Sequence, residues 1–294
     1  METVVQTIQG MRFRWLNTQC YQMVLPDGTS ILTDPTLRAP RADKPQYQKY
    51  LIPGFKLEDL GRVDYIILNH THFDHCPDVG AVYEMYKPMI IIHTAVAYEL
   101  GLHFNIPLTS IYPVDFDQRY YLPDFILETY HGMHKHRPKV RPQDTFDAAG
   151  DIYDDVGDCK ILGDHLGSLF NLNFIIQSKQ NIRVGFGAGA DHVNLMKKWE
   201  DAGINILLRH ISTKNAEDID RIKEILQWAK VTNAQIIMPL HHEPLVYKKP
   251  REFDHCVELC NEALQKEGLT ARMINPIRTK WYTLSTRIET TDII

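Results

Sequence analysis

The sequence has no hydrophobic run long enough to cross a membrane and no excess of basic residues. Its most apolar stretches, residues 65–68 and 89–92, are four residues long, whereas a transmembrane helix needs about 20. The formal net charge of −5 argues against a broad surface for nucleic acids or acidic membranes. We therefore expect no membrane partner, and a nucleic-acid partner is disfavoured.

Cysteines are few and irregularly placed. The five cysteines are an odd number without the spacing of a disulfide framework, and the first ten residues lack the basic start and apolar core of a signal peptide. Cys256 and Cys260 are four residues apart in a predicted helix, so they share one face and are interpreted as core residues. We therefore expect a reduced, cytoplasmic location.

Both halves of the chain run similarly, with strand-like segments first and then alternating strand-like and helix-like segments. Asp27-Gly28 lies between two β-rich runs and predicts a hairpin. This order favours an α/β fold in which two sheets pack face to face with helices outside, a four-layer αββα sandwich. We expect a single domain over residues 1–294, with irregular insertions at about 36–60 and 132–168.

Four candidate metal ligands lie within six residues, directly after the apolar run 64–69; they are His70, His72, Asp74 and His75. Side chains two apart in an extended segment point the same way, so His70 and His72 can bind one ion together. Asp74 and His75 fall on the following turn and can face a second ion. The alternative, a histidine-rich loop that only caps a helix, is disfavoured by the ligand order and by the preceding strand.

Three later apolar runs end in a residue that can bind a metal, namely His131, Asp191 and His241. Strand ends present side chains at the rim of a sheet, where a shared site can form. His134 and His136 compete with His131 for this role, and His242 competes with His241. Other histidines beside apolar segments are interpreted as structural: His93, His103, His192, His210 and His255.

Residues 131–142 carry a small basic patch that would suit an anionic, phosphorylated or carboxylated substrate. We expect His134, Arg137 and His242 to contact that substrate. The alternative is a solvated basic loop that balances the acidic run 147–158.

The histidine-aspartate element and the later strand ends resemble the metallo-β-lactamase superfamily over nearly the whole chain. Within it the sequence is most similar to the L-ascorbate-6-phosphate lactonase-like branch, through residues 231–244 with the helix before them and the long insertion after His131. It departs from that branch at two points. His131 stands where an aspartate is common, and Gly-Ala-Asp stands where Gly-Asp usually precedes the bridging carboxylate.

The resemblance implies two divalent metal ions, with zinc preferred and manganese or iron as alternatives. It implies one ion on His70, His72 and His131, a second on Asp74, His75 and His241, and Asp191 as the bridge. Asp74 would also act as the catalytic base that orients an activated hydroxide. Asp34, which ends the run SILTD, is a candidate to orient a metal-binding histidine.

The function expected from this resemblance is metal-dependent hydrolysis that opens a lactone or cyclic ester of a small anionic substrate. One alternative is a phosphodiesterase acting on a small molecule or nucleic acid. Another is an iron-dependent redox enzyme, similar to a sulfur dioxygenase, on the same fold. The sequence leaves a homo-oligomer open.

Overall fold

The computed structural model describes residues 6–38, 51–72, 74–132, 170–188, 192–211 and 218–288. Residues 39–50, about half of the first predicted insertion, and residues 133–169, which include nearly all of the second, lie outside these ranges. Within them, no helix combines the length and apolarity that crossing a membrane requires.

The first sheet has seven strands in the order β14-β1-β2-β3-β4-β5-β6. The strands are β1 (Gln6–Asn17), β2 (Cys20–Val24), β3 (Ser30–Thr33), β4 (Tyr65–Ile67), β5 (Met89–His93), β6 (Ile111–Val114) and β14 (Tyr282–Ile288). The strands from β3 to β6 are parallel, and the other pairs are antiparallel. The predicted hairpin at Asp27-Gly28 joins β2 to β3, and Gly28 has the positive φ of 92° that glycine tolerates best.

The second sheet also has seven strands, in the order β13-β12-β11-β10-β9-β8-β7. They are β7 (Arg119–Tyr121), β8 (Phe125–Gly132), β9 (Asn171–Ser178), β10 (Arg183–Gly187), β11 (Ile206–His210), β12 (Ile236–Leu240) and β13 (Arg272–Met273). The strands from β10 to β13 are parallel.

Helices pack on the outer faces of the sheets and complete the predicted four-layer αββα sandwich. They are α1 (Val79–Tyr86), α2 (Thr94–Phe104), α3 (His192–Trp199), α4 (Asp218–Thr232), α5 (Glu243–Lys248) and α6 (Pro250–Lys266). In β4, Tyr65 and Ile67 belong to the core between the sheets, whereas Ile66 belongs to the core beneath α1 and α2. Burial on both faces explains the continuous apolar run that predicted this strand. Cys256 and Cys260 are buried on one face of α6, as predicted.

Two contacts hold together the edges of the sheets where the parallel strands end. The Tyr21 hydroxyl donates to the Pro239 carbonyl at 2.8 Å, and the His241 backbone N–H donates to the Thr18 carbonyl at 3.1 Å. The Thr18 hydroxyl also donates to the Asp74 carbonyl at 3.2 Å. The segment after β4 and the end of β12 therefore lie at one shared rim, where the sequence predicts the metal ligands.

Candidate metal centre

Three histidines of the segment after β4 form a compact, largely buried group. His70 Nε2 lies 3.1 Å from His72 Nδ1, and the His70 and His75 ring centroids are 3.8 Å apart. His70 and His75 are 2% and 1% exposed. The histidines predicted from spacing are thus adjacent in space.

Asp74 links this group to His241 from the second sheet. One carboxylate oxygen of Asp74 lies 3.6 Å from His75 Nε2, and the other lies 3.4 Å from His241 Nε2. Ligand atoms of the three residues all lie within 4.8 Å of one another. The Asp74 carbonyl accepts hydrogen bonds from the Thr36 and Thr18 hydroxyls at 2.6 and 3.2 Å. These bonds fix the backbone that carries the carboxylate.

In the first sheet's half of the centre, the second ring nitrogens of two histidines have oxygen partners. His70 Nδ1 lies 2.8 Å from the Asn69 side-chain oxygen, and His75 Nδ1 lies 2.8 Å from Asp34 Oδ2. An Nδ1–H donated to these oxygens leaves Nε2 as the electron-pair donor, which is the usual arrangement of metal-binding histidines. Asp34 therefore occupies the position expected of a residue that orients such a histidine.

Glu243 does the same for His241 and was missed by the sequence reasoning. Its Oε1 lies 3.2 Å from His241 Nδ1, and the residue is 1% exposed at the start of α5. His241 itself has a φ of 55°, a left-handed turn directly after β12. The only sequence signal was an acid two residues after a histidine, which is common in loops.

The cluster is strongly coupled electrostatically. Burial alone would raise the pKa of Asp74, but the facing rings of His75 and His241 hold that pKa well below its usual range. Burial alone would lower the pKa of His241, but Glu243 and Asp74 raise it to about 10. In the metal-free protein, His241 is therefore protonated on both ring nitrogens at neutral pH, and a bound cation must displace one of these protons.

The donor set fits divalent cations. Asp74, His75 and His241 bring a carboxylate and two imidazoles together, and His70 and His72 lie beside them. Three of the four imidazoles have an oxygen partner on Nδ1. Imidazole with carboxylate suits zinc and is compatible with manganese or iron.

His131 lies at the end of β8, on the strand face that carries Leu127 of the inner core. It pairs with Leu172, whose N–H donates to the Asn69 carbonyl at 2.7 Å, so the backbone of β8 ends beside the segment that begins the cluster. Its exposed ring contacts Phe116, with centroids 4.7 Å apart. His131 is thus at the correct rim, and its ligand role remains a prediction.

His242 has surroundings unlike those of His241. It is 0% exposed and packs against Trp15 and Phe253, with ring centroids 4.2 and 5.6 Å away. Burial lowers its pKa to about 3, so the ring is neutral. This burial leaves no surface for a substrate, and the predicted substrate contact of His242 is not supported.

His210, interpreted from the sequence as structural, lies beside the cluster. It ends β11, and its ring centroid is 5.8 Å from that of His241. Its place at the end of a largely apolar strand was the available signal, similar to the one that selected His241.

Asp191, His134 and Arg137 lie outside the described residues. The strand expected to lead to Asp191 is β10, which ends at Gly187. Gly187 pairs with Arg209 of β11, the residue that precedes His210 in sequence. The predicted roles of these three residues remain predictions.

A family model described as the Metallo-beta-lactamase superfamily matches residues 14–206, well over half of the chain. The chain belongs to this superfamily. The fold is also that of solved structures over almost their whole length. A metallo hydrolase from the archaeon Ignicoccus hospitalis has a TM-score of 0.58 at 14% identity, covering 96% of this chain and 99% of its own. An isothiocyanate hydrolase from Delia radicum gut bacteria has a TM-score of 0.61 at 15% identity, covering 93% of this chain and 99% of its own.

Two curated relatives, both named UPF0173 metal-dependent hydrolases, match shorter stretches. The protein from Koribacter versatilis is 29% identical over 29% of this chain and 32% of its own length. The protein from Rubrobacter xylanophilus is 33% identical over 36% of this chain and 41% of its own length. The chain thus matches less than half the length of these relatives.

Proposed function

We propose that this chain is a metal-dependent hydrolase that opens a lactone or another cyclic ester of a small anionic substrate. The convergence of Asp74, His75 and His241 at the rim between the two sheets is the observation that carries this proposal. The relatives named as metal-dependent hydrolases support the reaction class. The ester specificity rests on the resemblance of residues 231–244 to the lactonase-like branch.

Two bound divalent cations, with zinc preferred over manganese or iron, would lower the pKa of a shared water towards neutrality and polarise the bond to be cleaved. We assign one cation to His70, His72 and His131, the other to Asp74, His75 and His241, and the bridging role to Asp191. In the metal-loaded enzyme, Asn69, Asp34 and Glu243 would hold His70, His75 and His241 in the tautomer that presents Nε2 to the cations.

Asp74 has a second role in this proposal as the catalytic base. In the metal-free protein, the facing rings of His75 and His241 oppose burial and hold the pKa of this carboxyl group well below its usual range. With the cations bound, the ionised carboxylate would accept a hydrogen bond from the attacking water and orient it. The Thr18 and Thr36 hydroxyls bond the Asp74 carbonyl and hold the residue in place while the proton moves.

The substrate's anionic group would be recognised by His134 and Arg137 of the basic segment. A charge-assisted, bidentate contact from an arginine suits phosphate and carboxylate groups alike. The exposed ring of His131 and the neighbouring Phe116 would flank the approach to the rim. The proposed enzyme is cytoplasmic and forms a single domain over residues 1–294.

The decisive experiment compares hydrolysis by the metal-loaded protein across phosphorylated sugar lactones, uncharged lactones and phosphodiesters. Asp74→Ala is the blank, and His255→Ala is the matched control because His255 is an exposed histidine of α6. We expect ring opening of the phosphorylated lactones, abolished in the blank and retained in the control. Cleavage of phosphodiesters alone would overturn the ester assignment, and an iron-dependent oxidation without hydrolysis would overturn the reaction class.

A further inference from the structure

A large cleft lies on the outer face of the first sheet, away from the metal centre. Helices α1 and α2 pack over the part of this face formed by β4 to β6. Over β14, β1 and β2 the surface instead forms a cleft of about 880 Å³. Its lining includes Gly10, Arg12, Gln22, Ser30, Arg62 and Trp281. Arg12 alternates along β1 with Met11 and Phe13 of the inner core, so the cleft and the inter-sheet core are on opposite faces.

Two arginines of β1 meet under one tryptophan at this cleft. The guanidinium carbons of Arg12 and Arg14 lie 4.9 and 4.5 Å from the centroid of the Trp281 ring. Arg12 is exposed, whereas Arg14 is only 6% exposed. Two positive charges on the same strand face are thus held side by side against one aromatic ring.

The partners of Arg14 do not neutralise its charge. Its guanidinium donates to the Gln22 side-chain oxygen at 3.0 and 2.6 Å and to the Asp59 backbone carbonyl at 2.7 Å. The Asp59 carboxylate instead accepts a hydrogen bond from the Lys56 backbone N–H at 2.7 Å. Among the described residues, no carboxylate lies within ion-pairing distance of Arg12 or Arg14.

The cleft therefore has more positive than negative charge. Arg62 on its other side is paired with Asp64 at 2.8 Å, which leaves the excess on Arg12 and Arg14. Burial lowers the pKa of Arg14. The positive charge of Arg12 lowers it further, whereas the negative charge of Asp59 raises it. A buried guanidinium without a counter-ion is destabilising, and an anion beside it relieves that cost.

We propose that this cleft binds a small molecule through a phosphate or carboxylate group placed on Arg12. The volume falls in the range of roughly 300–1,000 Å³ that holds small ligands in proteins. Arg12 offers the anion an exposed guanidinium, and Arg14 beneath it adds attraction from a site that water screens poorly. The ligand site is separate from the metal centre, so its occupation does not require hydrolysis.

The test measures the binding of three probes to the metal-free protein by calorimetry: inorganic phosphate, glucose 6-phosphate and benzoate. Arg12→Gln should weaken the binding of at least one probe by about tenfold or more. Arg119→Gln is the matched control, because Arg119 is a partly exposed arginine of β7 in the other sheet, and it should bind as the wild type does. The three probes show whether phosphate or carboxylate is preferred.

Equal affinity in the wild type and Arg12→Gln would overturn the proposal, as would the absence of saturable binding of every probe to the wild type. Arg12→Gln should also unfold at the wild-type temperature, since the side chain is exposed. Its metal-dependent hydrolysis should be unchanged, which separates this site from the proposed active site.

Discussion

The two sheets contribute to the candidate metal centre in different ways. The first sheet supplies four of its members, His70, His72, Asp74 and His75, from one segment after β4. The second sheet supplies His241 directly after β12, and the proposed function adds His131 from the end of β8 and Asp191 from the segment after β10. One half is therefore encoded locally, whereas the other half depends on the sheet topology.

This difference explains where the sequence was informative. A six-residue segment brings its own ligands together whatever the remainder of the chain does. Ligands on separate strands meet only when the fold brings the ends of those strands to the same edge. The backbone bond from His241 to Thr18 shows that this half of the centre is also held to the first sheet.

The largest effect is expected from Asp74, which joins the two halves. Asp74→Ala should lower metal-dependent kcat/KM by about 10²–10⁴-fold, because it removes a proposed ligand and base at once. His255→Ala should leave kcat/KM unchanged. A fully active Asp74→Ala enzyme that has been shown to be folded would contradict the assignment.

The second-largest effect is expected from Asp34 and Glu243, which contact His75 and His241 in the two halves of the centre. Asp34→Asn and Glu243→Gln should each weaken metal binding by about 10–100-fold, measured by competition with a chromophoric chelator. We expect the larger loss for Asp34→Asn, because both carboxylate oxygens of Asp34 are used: Oδ1 accepts the Asn69 N–H at 2.7 Å and Oδ2 faces His75 Nδ1. An asparagine has only one oxygen and must lose one of these contacts. Wild-type affinity in both variants would show that these contacts do not orient ligands.

A third prediction concerns the pH dependence of stability and distinguishes His242 from its neighbour. Burial lowers the pKa of His242 in the folded chain to about 3, below the ordinary histidine value of the unfolded chain. Between these two pKa values, the unfolded chain binds a proton on His242 that the folded chain excludes. This contribution to the free energy of unfolding is complete above the unfolded pKa and falls as the pH decreases towards 3.

The variant that tests it is His242→Phe, which keeps a ring against Trp15 and Phe253. When the pH falls from about 7 to about 5, the free energy of unfolding of the metal-free wild type should decrease by about 2 kcal/mol more than that of the variant. The difference arises because uptake of one proton by the unfolded chain contributes roughly 1.4 kcal/mol per pH unit below the normal histidine pKa. Urea unfolding at the two pH values provides the measurement. Parallel losses in both proteins would mean that His242 is protonated in the folded chain.

The smallest effect is expected from His210, at the rim of the second sheet. His210→Ala should lower kcat/KM by roughly 2–10-fold, because its ring packs beside that of His241, and should leave the metal content unchanged. Metal analysis of the purified variant, together with steady-state kinetics, checks both parts. Loss of a metal ion would instead make His210 a ligand and enlarge the second sheet's share of the site.

Much of the scaffold was predictable because its signals are local. The Asp27-Gly28 hairpin follows from turn chemistry, and β4 follows from an apolar run buried on both faces. The pairing of β14 with β1 joins segments from opposite ends of the chain, and only tertiary structure determines it.

The choice between His241 and His242 could not be made from the sequence. The residues are chemically identical neighbours, and their surroundings differ because a left-handed φ turns His241 towards Asp74 while His242 packs on Trp15. Trp15 is distant in sequence, so no local pattern records this contact. Glu243 was missed for a related reason, because its function depends on the ring that it faces.

The most direct test of the central claim is the zinc stoichiometry of the wild type, His241→Ala and His242→Ala, measured by mass spectrometry of the metal after equilibrium dialysis. The proposed site predicts two ions per chain in the wild type and in His242→Ala, and loss of one ion in His241→Ala. Undiminished zinc in His241→Ala, or loss restricted to His242→Ala, would contradict a centre shared between the two sheets.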